Sequence, residues 1–368
     1  MIEKTGLSFH FGSIAGYALA LMNATSIGVI GCGYWGPNLL RNFAENETVQ
    51  LSWICDVDEK RLAAMGRRYP AAQTSTDYRK LLATPGLDAV AIATPVATHY
   101  EIAIAALNAG KHVLMEKPLT ATVREAEELI ALASSMNRTL MVDHTFVYTG
   151  AVRKMKEIVA GGELGKLLYF DSVRINLGLF QRDINVLWDL APHDLSIMDY
   201  LIDRQPDAVT AIGSSHIEPG IENIAYLLLH FPDEFIAHFH FNWLAPMKLR
   251  RTLIAGSSKM ILYDDIEPTE KVRVYDKGVT TNRIGDREAD YQTLISYRTG
   301  DVWAPRLDPT EALRYVVAEF LDSIRGARPP LTDGHAGLRV VRVLEAAHQS
   351  MKNGGQIKFL SSSASAPA

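Results

Sequence analysis

The sequence predicts a doubly wound, parallel α/β domain followed by an α+β domain with an open, mostly antiparallel sheet. From Thr25 to Val142, apolar strand-like runs alternate with helical patterns, which is typical of a parallel sheet covered by helices. A glycine-rich turn follows the first of these runs. After about residue 145, strand-like runs follow one another through short turns, which favours an antiparallel sheet with one buried face.

The first domain alternates strands and helices throughout. Predicted strands cover residues 25–31, 49–55, 88–93, 111–115 and 139–142, and predicted helices cover 37–46, 58–69, 77–83, 98–109 and 122–136. Ligands of such sheets bind beyond the carboxyl ends of the strands. The candidate site residues therefore follow the strands: the glycine loop, Asp56, Thr94-Pro95, Glu116-Lys117-Pro118 and Asp143-His144.

The second domain starts with a helix at 151–160, which Gly161-Gly162 ends. Alternating runs then predict strands at 166–176, 207–214, 223–231, 234–243, 250–255 and 258–263. A helix from Trp188 to Ile202 is inserted after the first of them. Two closing helices cover about 310–325 and 335–352, and Asp333 suits the N-cap of the last one.

These patterns divide the chain into five parts. Residues 1–24 form an extension outside the fold, with Met22 as the expected natural start. Residues 25–145 form the first domain, and residues 146–310 form a domain for substrate binding and oligomerisation. The closing helices within 311–358 pack back on both domains. The tail at 359–368 is small and polar and is expected to be disordered.

The composition is that of an ordinary soluble protein, with 48% hydrophobic and 21% charged residues among 368. The formal net charge is −5 and no long basic run occurs, which argues against a nucleic-acid partner. No apolar run is long enough to span a membrane. The two cysteines, Cys32 and Cys55, are interpreted as buried residues in a reducing compartment, so we expect a cytoplasmic protein.

The stretch from Thr25 to Asp56 predicts a dinucleotide site. Gly31 allows a tight turn, Gly33 lets the backbone approach a pyrophosphate, and Gly36 lets the next helix pack on the strand. Tyr34 and Trp35 lie within this loop. The helix N-terminus offers free N–H groups to the phosphates. Asp56 is placed to accept hydrogen bonds from the ribose hydroxyls, which favours NAD over NADP because a 2′-phosphate would meet like charge.

A strand ending in Glu116, Lys117 and Pro118 directs a lysine towards the cofactor cleft. Its ammonium would hydrogen-bond a substrate hydroxyl or ketone oxygen and stabilise charge there during hydride transfer. The alternative on this segment alone is a surface lysine beside a turn.

The segment WDLAPHDLS places Asp189 and His193 four residues apart, which is one helical turn. Pro192 suits a first helical turn, so we expect Asp189 at the helix entrance and His193 near the helix N-terminus. There the dipole would keep the imidazole neutral, as a base requires, while Asp189 would orient the ring. The alternative is a capping aspartate with a buried structural histidine.

Two further groups have simpler interpretations. His238 and His240 alternate with Phe239 and Phe241 on a strand, and without nearby metal-binding partners we expect a polar sheet face rather than a metal site. In the segment from Thr94 to His99, Pro95 shapes a turn over the cofactor. His99 either follows the cofactor or belongs to the next helix.

Taken together, the chain resembles a known family. The segments IGVIGCGYWGPNLLRNF, ICDVDE, AIATPVATHY, AGKHVLMEKPL and WDLAPHDLS occur in the order seen in the glucose-fructose oxidoreductase / inositol dehydrogenase family, also called Gfo/Idh/MocA. The resemblance covers roughly residues 25–355. It implies a Rossmann domain that binds NAD and a second domain whose outer sheet face makes dimer or tetramer contacts.

The resemblance also implies site roles. Lys117 would lie at the nicotinamide and substrate, His193 would accept a proton, and Asp189 would assist. Thr94, Pro95 and His99 would follow the cofactor. Glu116 would belong to the cofactor site.

Within the family, the versions GYWGPNLLRNF and WDLAPHD are most similar to members acting on nucleotide-linked amino sugars, such as dehydrogenases of C3 of a UDP-N-acetylhexosamine or its uronic acid. Arg174, Asn176 and Arg182 would then bind a substrate phosphate or carboxylate, or else they are solvated loop charges. Three rival functions stay open: keto-sugar reduction with NAD(P)H, oxidation of inositol or a free sugar, and a catalytically silent NAD(H)-binding sensor or scaffold.

Overall fold

A computed structural model describes residues 24–178, 180, 184–284 and 292–360, with the backbone alone at 280–284 and 292–295. The predicted extension up to residue 23 therefore lies outside the described residues. Within the part that is described, no helix is both long and apolar enough to cross a membrane.

The first sheet has six parallel strands in the order β3-β2-β1-β4-β5-β6. The strands are β1 (Thr25–Ile30), β2 (Val49–Cys55), β3 (Gln73–Ser75), β4 (Ala89–Ile92), β5 (His112–Glu116) and β6 (Leu140–Asp143). The helices are α1 (Gly36–Ala44), α2 (Glu59–Arg68), α3 (Tyr78–Leu82), α4 (His99–Asn108) and α5 (Val123–Ser135). The predicted doubly wound fold is confirmed, and the strand order reverses at β1, which opens a ligand crevice beside β4.

The second sheet has nine strands in the order β16-β13-β12-β11-β7-β10-β9-β8-β17. These are β7 (Leu167–Leu177), β8 (Ala208–Ser214), β9 (Ile224–His230), β10 (Ile236–Asn242), β11 (Leu244–Gly256), β12 (Met260–Asp264), β13 (Val272–Tyr275), β16 (Val302–Trp303) and β17 (Lys358–Phe359). Only β7 and β10 pair in parallel among its described pairings, so the predicted mostly antiparallel sheet is confirmed. A separate hairpin joins β14 (Gly278–Ile284) to β15 (Gln292–Arg298).

Four helices connect the two sheets: α6 (Gly150–Ala160), α7 (Val186–Leu201), α8 (Ala312–Gly326) and α9 (Gly334–Lys352). Helix α7 packs on the inner face of the second sheet, and α8 packs on one face of the first sheet. Leu338 and Val341 of α9 join the core on the other face of the first sheet, while Val340 and Leu344 join the core of the second domain. The predicted cap of α9 is confirmed, because the Asp333 carboxylate accepts a hydrogen bond from the N–H of Ala336 at 2.9 Å.

Two sequence predictions need correction here. Phe359 was assigned to the disordered tail, yet it pairs with Ala208 as part of β17, and only residues 361–368 lie outside the described residues. Helix α7 starts at Val186, capped by Asn185, so Pro192 lies inside the helix rather than in its first turn. Asp189 is in the first turn, near the helix entrance where it was predicted, whereas His193 lies further from the N-terminus than predicted.

Candidate active site

The glycine loop after β1 has the space that a bound pyrophosphate needs. Gly31 has a φ of +99°, and an added Cβ would lie 2.4 Å from the carbonyl oxygen of Ala93. At Gly36 an added Cβ would lie 2.0 Å from the Gly31 carbonyl oxygen. At Gly33, by contrast, the only atom within 4 Å is Nη1 of the Arg61 side chain, at 3.8 Å. Two glycines are thus required for the fold, while Gly33 leaves open space in front of the loop.

The start of α1 faces the same space. Trp35 occupies the N-cap position and makes no capping side-chain hydrogen bond. Within the first turn Pro37 has no N–H and the N–H of Asn38 donates to the Trp35 carbonyl at 2.9 Å, so the N–H of Gly36 is the group that this turn offers to an anion. Tyr34 is 86% exposed beside it. The indole Nε1 of Trp35 donates to Oδ2 of Asp143 at 3.2 Å, which fixes the loop to the end of β6.

Asp56 directly follows β2 and is buried against the loop. Its Oδ2 accepts a hydrogen bond from the N–H of Cys32 at 2.5 Å, and its Oδ1 accepts one from the N–H of Asp58 at 2.8 Å. Each carboxylate oxygen keeps a second lone pair for a ribose hydroxyl. The neighbouring thiols are unreactive, since burial raises the pKa of Cys32 and of Cys55 to about 12.

The segment after β4 forms a short 3₁₀ turn, Val96–Thr98. His99 begins α4 and is almost fully buried. Its ring nitrogens lie 2.9 Å from the carbonyl oxygens of Thr94 and Pro118. Burial lowers the pKa of His99. This histidine links two loops at the sheet edge, so the structure favours the interpretation in which His99 belongs to the helix and supports the loops that follow β4 and β5.

The ends of β5 and β6 hold two buried carboxyl groups side by side. Glu116 and Asp143 are register partners, and the Oε1 atom of Glu116 is buried without a hydrogen-bond partner. Asp143 accepts hydrogen bonds from Thr145 at 2.7 Å and from Trp35. Burial and the Asp143 charge raise the pKa of Glu116 well above its usual value. Burial raises the pKa of Asp143 as well, so the pair as a whole disfavours two negative charges.

Lys117 reaches from the first domain to helix α7 of the second. Its Nζ donates to the backbone carbonyl of Asp189 at 2.7 Å and lies 3.5 Å from Oδ1 of the same residue. The other carboxylate oxygen, Oδ2, accepts a hydrogen bond from Nε1 of Trp243 at 3.1 Å. The lysine is only 18% exposed. The alternative of a solvated surface lysine is therefore wrong.

His193 lies one turn further along α7. Its ring meets Phe146 edge-on, with centroids 5.0 Å apart, and its Nδ1 atom is buried with no hydrogen-bond partner among the described residues. Burial lowers the pKa of His193 well below the usual value, and the positive charges of Lys117, Arg174 and Arg250 lower it further. The ring is neutral at physiological pH, which is the state of a proton acceptor.

The predicted cause of this neutrality was wrong. Since α7 begins at Val186, His193 is in its eighth position, beyond the first turn where the helix dipole acts. Burial and neighbouring cations replace the dipole as the cause. No hydrogen bond joins Asp189 to His193 among the described contacts, and the Asp189 carboxylate is directed to Trp243 and Lys117 instead.

Arg174, one of the predicted substrate residues, is 2% exposed and has an internal partner. Its Nε donates to Oδ2 of Asp194 at 2.5 Å, and its Nη2 donates to Oδ1 at 3.3 Å. Its guanidinium lies over the Phe146 ring, 4.6 Å from the centroid. This arrangement contradicts the expectation of a free guanidinium for a substrate phosphate. Asn176 is half-buried on β7, and Arg182 lies outside the described residues.

A cation that the sequence interpretation missed lies beside Arg174. Arg250 on β11 is its register partner, and its guanidinium also lies over Phe146, at 5.9 Å. One nitrogen bonds to Asp265 at 3.1 Å, while Nε is buried without a partner. The only sequence signal was a basic cluster, Lys248, Arg250 and Arg251, on β11.

His238 and His240 lie on the outer face of the second sheet. His238 contacts Oδ1 of Asp171 at 2.9 Å, and His240 stacks on Tyr226 with ring centroids 4.3 Å apart. Over the described part of the chain, no group of three or more potential ligands is placed to hold a metal ion.

The residues present fit a dinucleotide. Gly33 leaves open the space that a Cβ would fill, the first turn of α1 has no side-chain cap, and Asp56 and Lys117 directly follow parallel strands at the same sheet edge. A six-stranded doubly wound sheet with a cation and a neutral histidine at that edge defines a dinucleotide-dependent oxidoreductase.

Comparison with protein families agrees with this class. The model described as "Oxidoreductase family, NAD-binding Rossmann fold" matches residues 25–144, and the Gfo/Idh/MocA C-terminal domain model matches residues 152–262. The chain belongs to the Gfo/Idh/MocA oxidoreductase family, and its first domain binds NAD.

Two characterised relatives align over most of the chain. The UDP-N-acetylglucosamine 3-dehydrogenase of Acidithiobacillus ferrooxidans is 27% identical over 326 residues, which is 85% of this chain and 93% of the relative. A solved structure of that enzyme superposes with a TM-score of 0.76 at 26% identity, covering 90% of this chain and 99% of the other. The myo-inositol 2-dehydrogenase of Thermotoga maritima is 24% identical over 90% of this chain and 98% of its own.

Proposed function

We propose that this protein oxidises a sugar hydroxyl with NAD. The observation that carries the proposal is the contact between Lys117 and Asp189 beside a neutral His193. A cation and a neutral imidazole are two groups that assist the oxidation of a secondary alcohol. The cation stabilises charge on the oxygen, and the imidazole removes its proton.

When bound, NAD would supply the hydride acceptor for the carbon that is oxidised. The chain supplies the rest. His193 accepts the hydroxyl proton, because burial and three cations keep its ring neutral. Lys117 donates a hydrogen bond to the substrate oxygen, for which its Nζ is held at the sheet edge by Asp189.

Asp189 acts on Lys117 in this proposal. Its backbone and side-chain oxygens lie 2.7 and 3.5 Å from Nζ, and Trp243 fixes the carboxylate from the other side. The carboxylate compensates part of the lysine charge and directs it, which is a positioning role. The orientation of His193 comes from its packing against Phe146.

The substrate class that we favour is a nucleotide-linked amino sugar, with C3 of a UDP-N-acetylhexosamine or its uronic acid as the reacting position. The relative from Acidithiobacillus ferrooxidans, named UDP-N-acetylglucosamine 3-dehydrogenase, supports this class. Arg250 is 28% exposed and has a buried, unpartnered Nε, so it replaces Arg174 as the cation offered to a substrate phosphate or carboxylate. Asn176 and Arg182 remain proposed substrate residues.

A second candidate is oxidation of a free polyol. It is favoured by the relative named myo-inositol 2-dehydrogenase, which aligns over 90% of this chain. A polyol carries no phosphate, so its binding would not need an ion pair with Arg250. The Arg250→Met variant therefore separates the candidates: KM rises for a sugar nucleotide and stays constant for a polyol.

The experiment is a screen for NADH formation with UDP- and dTDP-linked sugars, free sugars and inositols. Lys117→Ala and His193→Ala are each expected to lower kcat/KM on the true substrate by roughly 10²- to 10⁴-fold. Lys80→Ala, at an exposed position on α3, is the matched control and retains activity. Near wild-type turnover in both site variants would refute the assignment.

The rival functions give different outcomes in the same assay. A keto-sugar reductase would consume bound NADH when candidate keto sugars are mixed in a stopped-flow instrument. A sensor or scaffold would bind NAD without turnover on any compound of the panel. NADH formation with a sugar hydroxyl would reject the sensor.

We propose NAD rather than NADP as the physiological cofactor. Asp56 is buried at the ribose end of the loop, where a 2′-phosphate would meet like charge. The Arg61 side chain reaches the glycine loop, with Nη1 3.8 Å from a Cβ added at Gly33, but it lies 3.6 Å from Asp58, so its charge is partly compensated. Comparable affinity for the two dinucleotides in calorimetry would contradict this proposal.

The proposal extends to assembly and location. The outer face of the second sheet carries exposed apolar side chains, including Leu168 (42%), Tyr226 (40%) and Ile236 (44%), which favours a homodimer or homotetramer through this face. Light scattering coupled to size-exclusion chromatography tests it, and a monomer at assay concentration would refute it. We also propose a cytoplasmic location, because both cysteines are free and buried.

A further inference from the structure

A cavity between the two domains has no part in the chemistry proposed so far. Its volume is about 480 Å³, which is within the usual range for small-molecule sites. The loops after β4 and β5 contribute lining residues from the first domain, and the start of α7, the loop between β8 and β9 and the end of α9 contribute the others. Cavities at domain junctions are common places for a ligand to bind.

The cavity adjoins the proposed catalytic residues along α7. Trp188 lines it and immediately precedes Asp189, whose backbone carbonyl accepts the hydrogen bond of the Lys117 ammonium at 2.7 Å. Consecutive Cα atoms are about 3.8 Å apart, so Trp188 starts one residue away from the lysine contact. Thr122 also lines the cavity and lies five residues after Lys117. A substrate held by Lys117 would therefore have the cavity beside it.

The cavity is distinct from the predicted path of the adenosine and the phosphates of the cofactor. Among the described residues that line it, none belongs to the glycine loop, and Asp56 is not included. The pyrophosphate is expected at the glycine loop and the adenosine ribose at Asp56. Val96 and Ala97, which line the cavity, belong to the turn after β4. The cavity is thus available to a part of the substrate.

The walls of the cavity are mostly apolar. Six of the described lining side chains are apolar: Val96, Ala97, Ala121, Ile184, Trp188 and Ile221. Trp188 packs against the cores of both domains, which holds its indole in place. A fixed indole among aliphatic side chains is a surface on which a planar ring stacks.

Several polar groups of the cavity lack an internal partner. The Oε2 atom of Glu345 accepts a hydrogen bond from the N–H of Val123 at 2.8 Å, which leaves Oε1 available as an acceptor. The indole N–H of Trp188 and the side-chain amide of Gln349 make no hydrogen bond with another described residue. These atoms are accessible, since the buried polar atoms without a partner do not include them. Donors and acceptors near one another complement a ring that carries both kinds of group.

The charges of the cavity favour a neutral ligand. No lysine or arginine is among its described lining residues, and Glu345 is the acid there. His348 also lines the cavity, and burial lowers its pKa, so its ring is neutral at physiological pH. Lys352 at the end of α9 is paired with Glu222 at 3.2 Å. A phosphate or carboxylate in the cavity would lose water beside an acid without gaining a cation, which is unfavourable.

The walls are held in place without a ligand. Asn185 caps α7 by accepting a hydrogen bond from the N–H of Trp188 at 3.2 Å, and its amide donates to Glu222 at 2.7 Å. Thr122 caps α5 by accepting a hydrogen bond from the N–H of Glu125 at 3.2 Å. Because these walls are preformed, a ligand would bind with a small cost in ordering the protein.

We propose that this cavity binds a neutral planar ring carried by the substrate sugar, while the sugar itself lies at Lys117 and His193. The inference rests on the proposed sugar oxidation and adds the part of the substrate that lies outside the reacting sugar. The ring stacks on Trp188, and its polar edge meets Glu345 and Gln349. A nucleobase and an aromatic aglycone share this chemistry. In a sugar nucleotide, the phosphates would stay outside the cavity and only the base would enter it.

The first test measures binding and needs no turnover. Ligand-detected NMR is recorded with uridine and with phenyl β-D-glucopyranoside, in the presence and absence of NAD, and ribose and glucose are the controls without a planar ring. In protein with ¹⁵N-labelled tryptophan, the indole signal of Trp188 is assigned with Trp188→Phe. We expect a ring ligand to bind and to shift this signal, whereas ribose and glucose do neither. A response to uridine identifies a nucleobase, and a response to the phenyl glucoside identifies an aromatic aglycone.

Two variants change the cavity from exposed positions. Ala97→Trp fills it from the turn after β4, and Gln349→Ala removes a polar group on α9. We expect Ala97→Trp to weaken ring binding by roughly tenfold to 100-fold, as for the loss of one stacked ring. Gln349→Ala should weaken it by roughly threefold to tenfold, as for one hydrogen bond. Ala71→Trp, at an exposed position before β3, is the matched control for Ala97→Trp and binds as the wild type does.

The kinetic test uses a substrate found in the NADH screen. With a substrate that carries a ring, Ala97→Trp and Gln349→Ala are expected to raise KM and to leave kcat unchanged. With the same sugar lacking the ring, both constants stay at the wild-type values. If no sugar yields NADH, the proposed function fails, while the binding measurements still decide what the cavity takes. Gln349→Ala keeps the test decisive if Ala97→Trp does not fold.

Three results would overturn the inference. One is that neither uridine nor the phenyl glucoside shifts the Trp188 signal. Another is that a ring ligand binds both cavity variants as tightly as it binds the wild type, which would place its site elsewhere. The third is mutual displacement of NAD and the ring ligand, which would assign the cavity to the cofactor.

Discussion

The buried ion pair between Arg174 and Asp194 gives the sharpest test of the fold around the site. Both side chains are less than 5% exposed, and two hydrogen bonds join them. Asp194 also accepts a hydrogen bond from Ser172 at 3.0 Å, and the guanidinium is stacked over Phe146. The perturbation is Asp194→Asn, which retains the shape of the side chain and removes its charge.

The expected cost follows from the burial. Removing one partner of a buried ion pair leaves a desolvated charge without compensation and typically costs about 3–5 kcal/mol. At roughly 2–4 °C per kcal/mol for a domain of this size, Tm falls by about 6–20 °C. Replacing both partners with apolar residues of similar volume, Arg174→Met with Asp194→Leu, removes the uncompensated charge. The double variant is expected to lie within about 1–2 kcal/mol of the wild type.

Urea unfolding followed by circular dichroism measures these free energies. Asp322→Asn, at an exposed position on α8, is the matched control and should change stability by less than about 0.5 kcal/mol. An Asp194→Asn variant within about 1 kcal/mol of the wild type would refute the reasoning. If the Arg174→Met variant unfolds at the same urea concentration as the wild type and has a raised KM for the sugar substrate, Arg174 binds substrate after all.

Three further predictions address the cofactor loop and the titrating groups. Gly33→Val should fold normally and lose NAD affinity in calorimetry, whereas Gly36→Ala should unfold at lower urea concentration, because its Cβ would lie 2.0 Å from a backbone oxygen of the loop. Because the pKa of Glu116 is raised in the folded state, its contribution to the free energy of unfolding is full below about pH 4.5 and is lost as the pH rises through the folded-state pKa. The Glu116→Gln variant does not lose this contribution. Its free energy of unfolding, measured relative to that of the wild type, should therefore be higher at about pH 9 than at about pH 6. Because the pKa of His193 is lowered, kcat/KM for oxidation should not fall between about pH 8 and 6.5 through protonation of this ring. A fall in kcat/KM centred on the ordinary pKa of histidine would contradict this prediction, if the fall disappears in a His193→Gln variant that retains residual activity.

Most of the fold follows from local patterns. The glycine spacing after β1, the alternation of apolar runs and helical periods, and the change of pattern near residue 145 each depend on neighbouring residues alone. Strands β13 to β17 were not predicted, and neither was β3. Strand β3 is Gln73-Thr74-Ser75, with no apolar residue, and becomes a strand only because β2 offers an open edge.

The site was harder to predict, because its contacts depend on tertiary packing. The sequence predicted Lys117, Asp189 and His193 as site residues, and in the structure they lie near one sheet edge. It did not reveal that Arg174 and Arg250 would be register partners on β7 and β11. Cross-strand register between residues 76 positions apart has no local signal. The ion pair that buries Arg174, and the cation left beside it, were therefore invisible in the sequence.

The start of α7 was predicted wrongly from the position of Pro192. Proline favours the first turn of a helix, because its missing N–H costs nothing there. In α7 it lies in the helix interior, since Asn185 caps the helix earlier by accepting a hydrogen bond from the N–H of Trp188 at 3.2 Å. The extra turn buries Val186 and Leu187 against the second sheet. This apolar burial offsets the cost of an interior proline, of the order of 3 kcal/mol.

The extra turn also changes which charges keep the His193 ring neutral. A histidine at a helix N-terminus would owe its neutrality to backbone dipoles, which act within one turn and are screened by salt. His193 instead owes it to burial and to cations on three separate elements: Lys117 after β5, Arg174 on β7 and Arg250 on β11. Of these, Arg174 is neutralised by Asp194, and Lys117 is partly compensated by Asp189. Arg250 donates to Asp265 through one nitrogen and is the most exposed of the three, so a bound phosphate or carboxylate that completes the compensation of its charge would raise the basicity of His193.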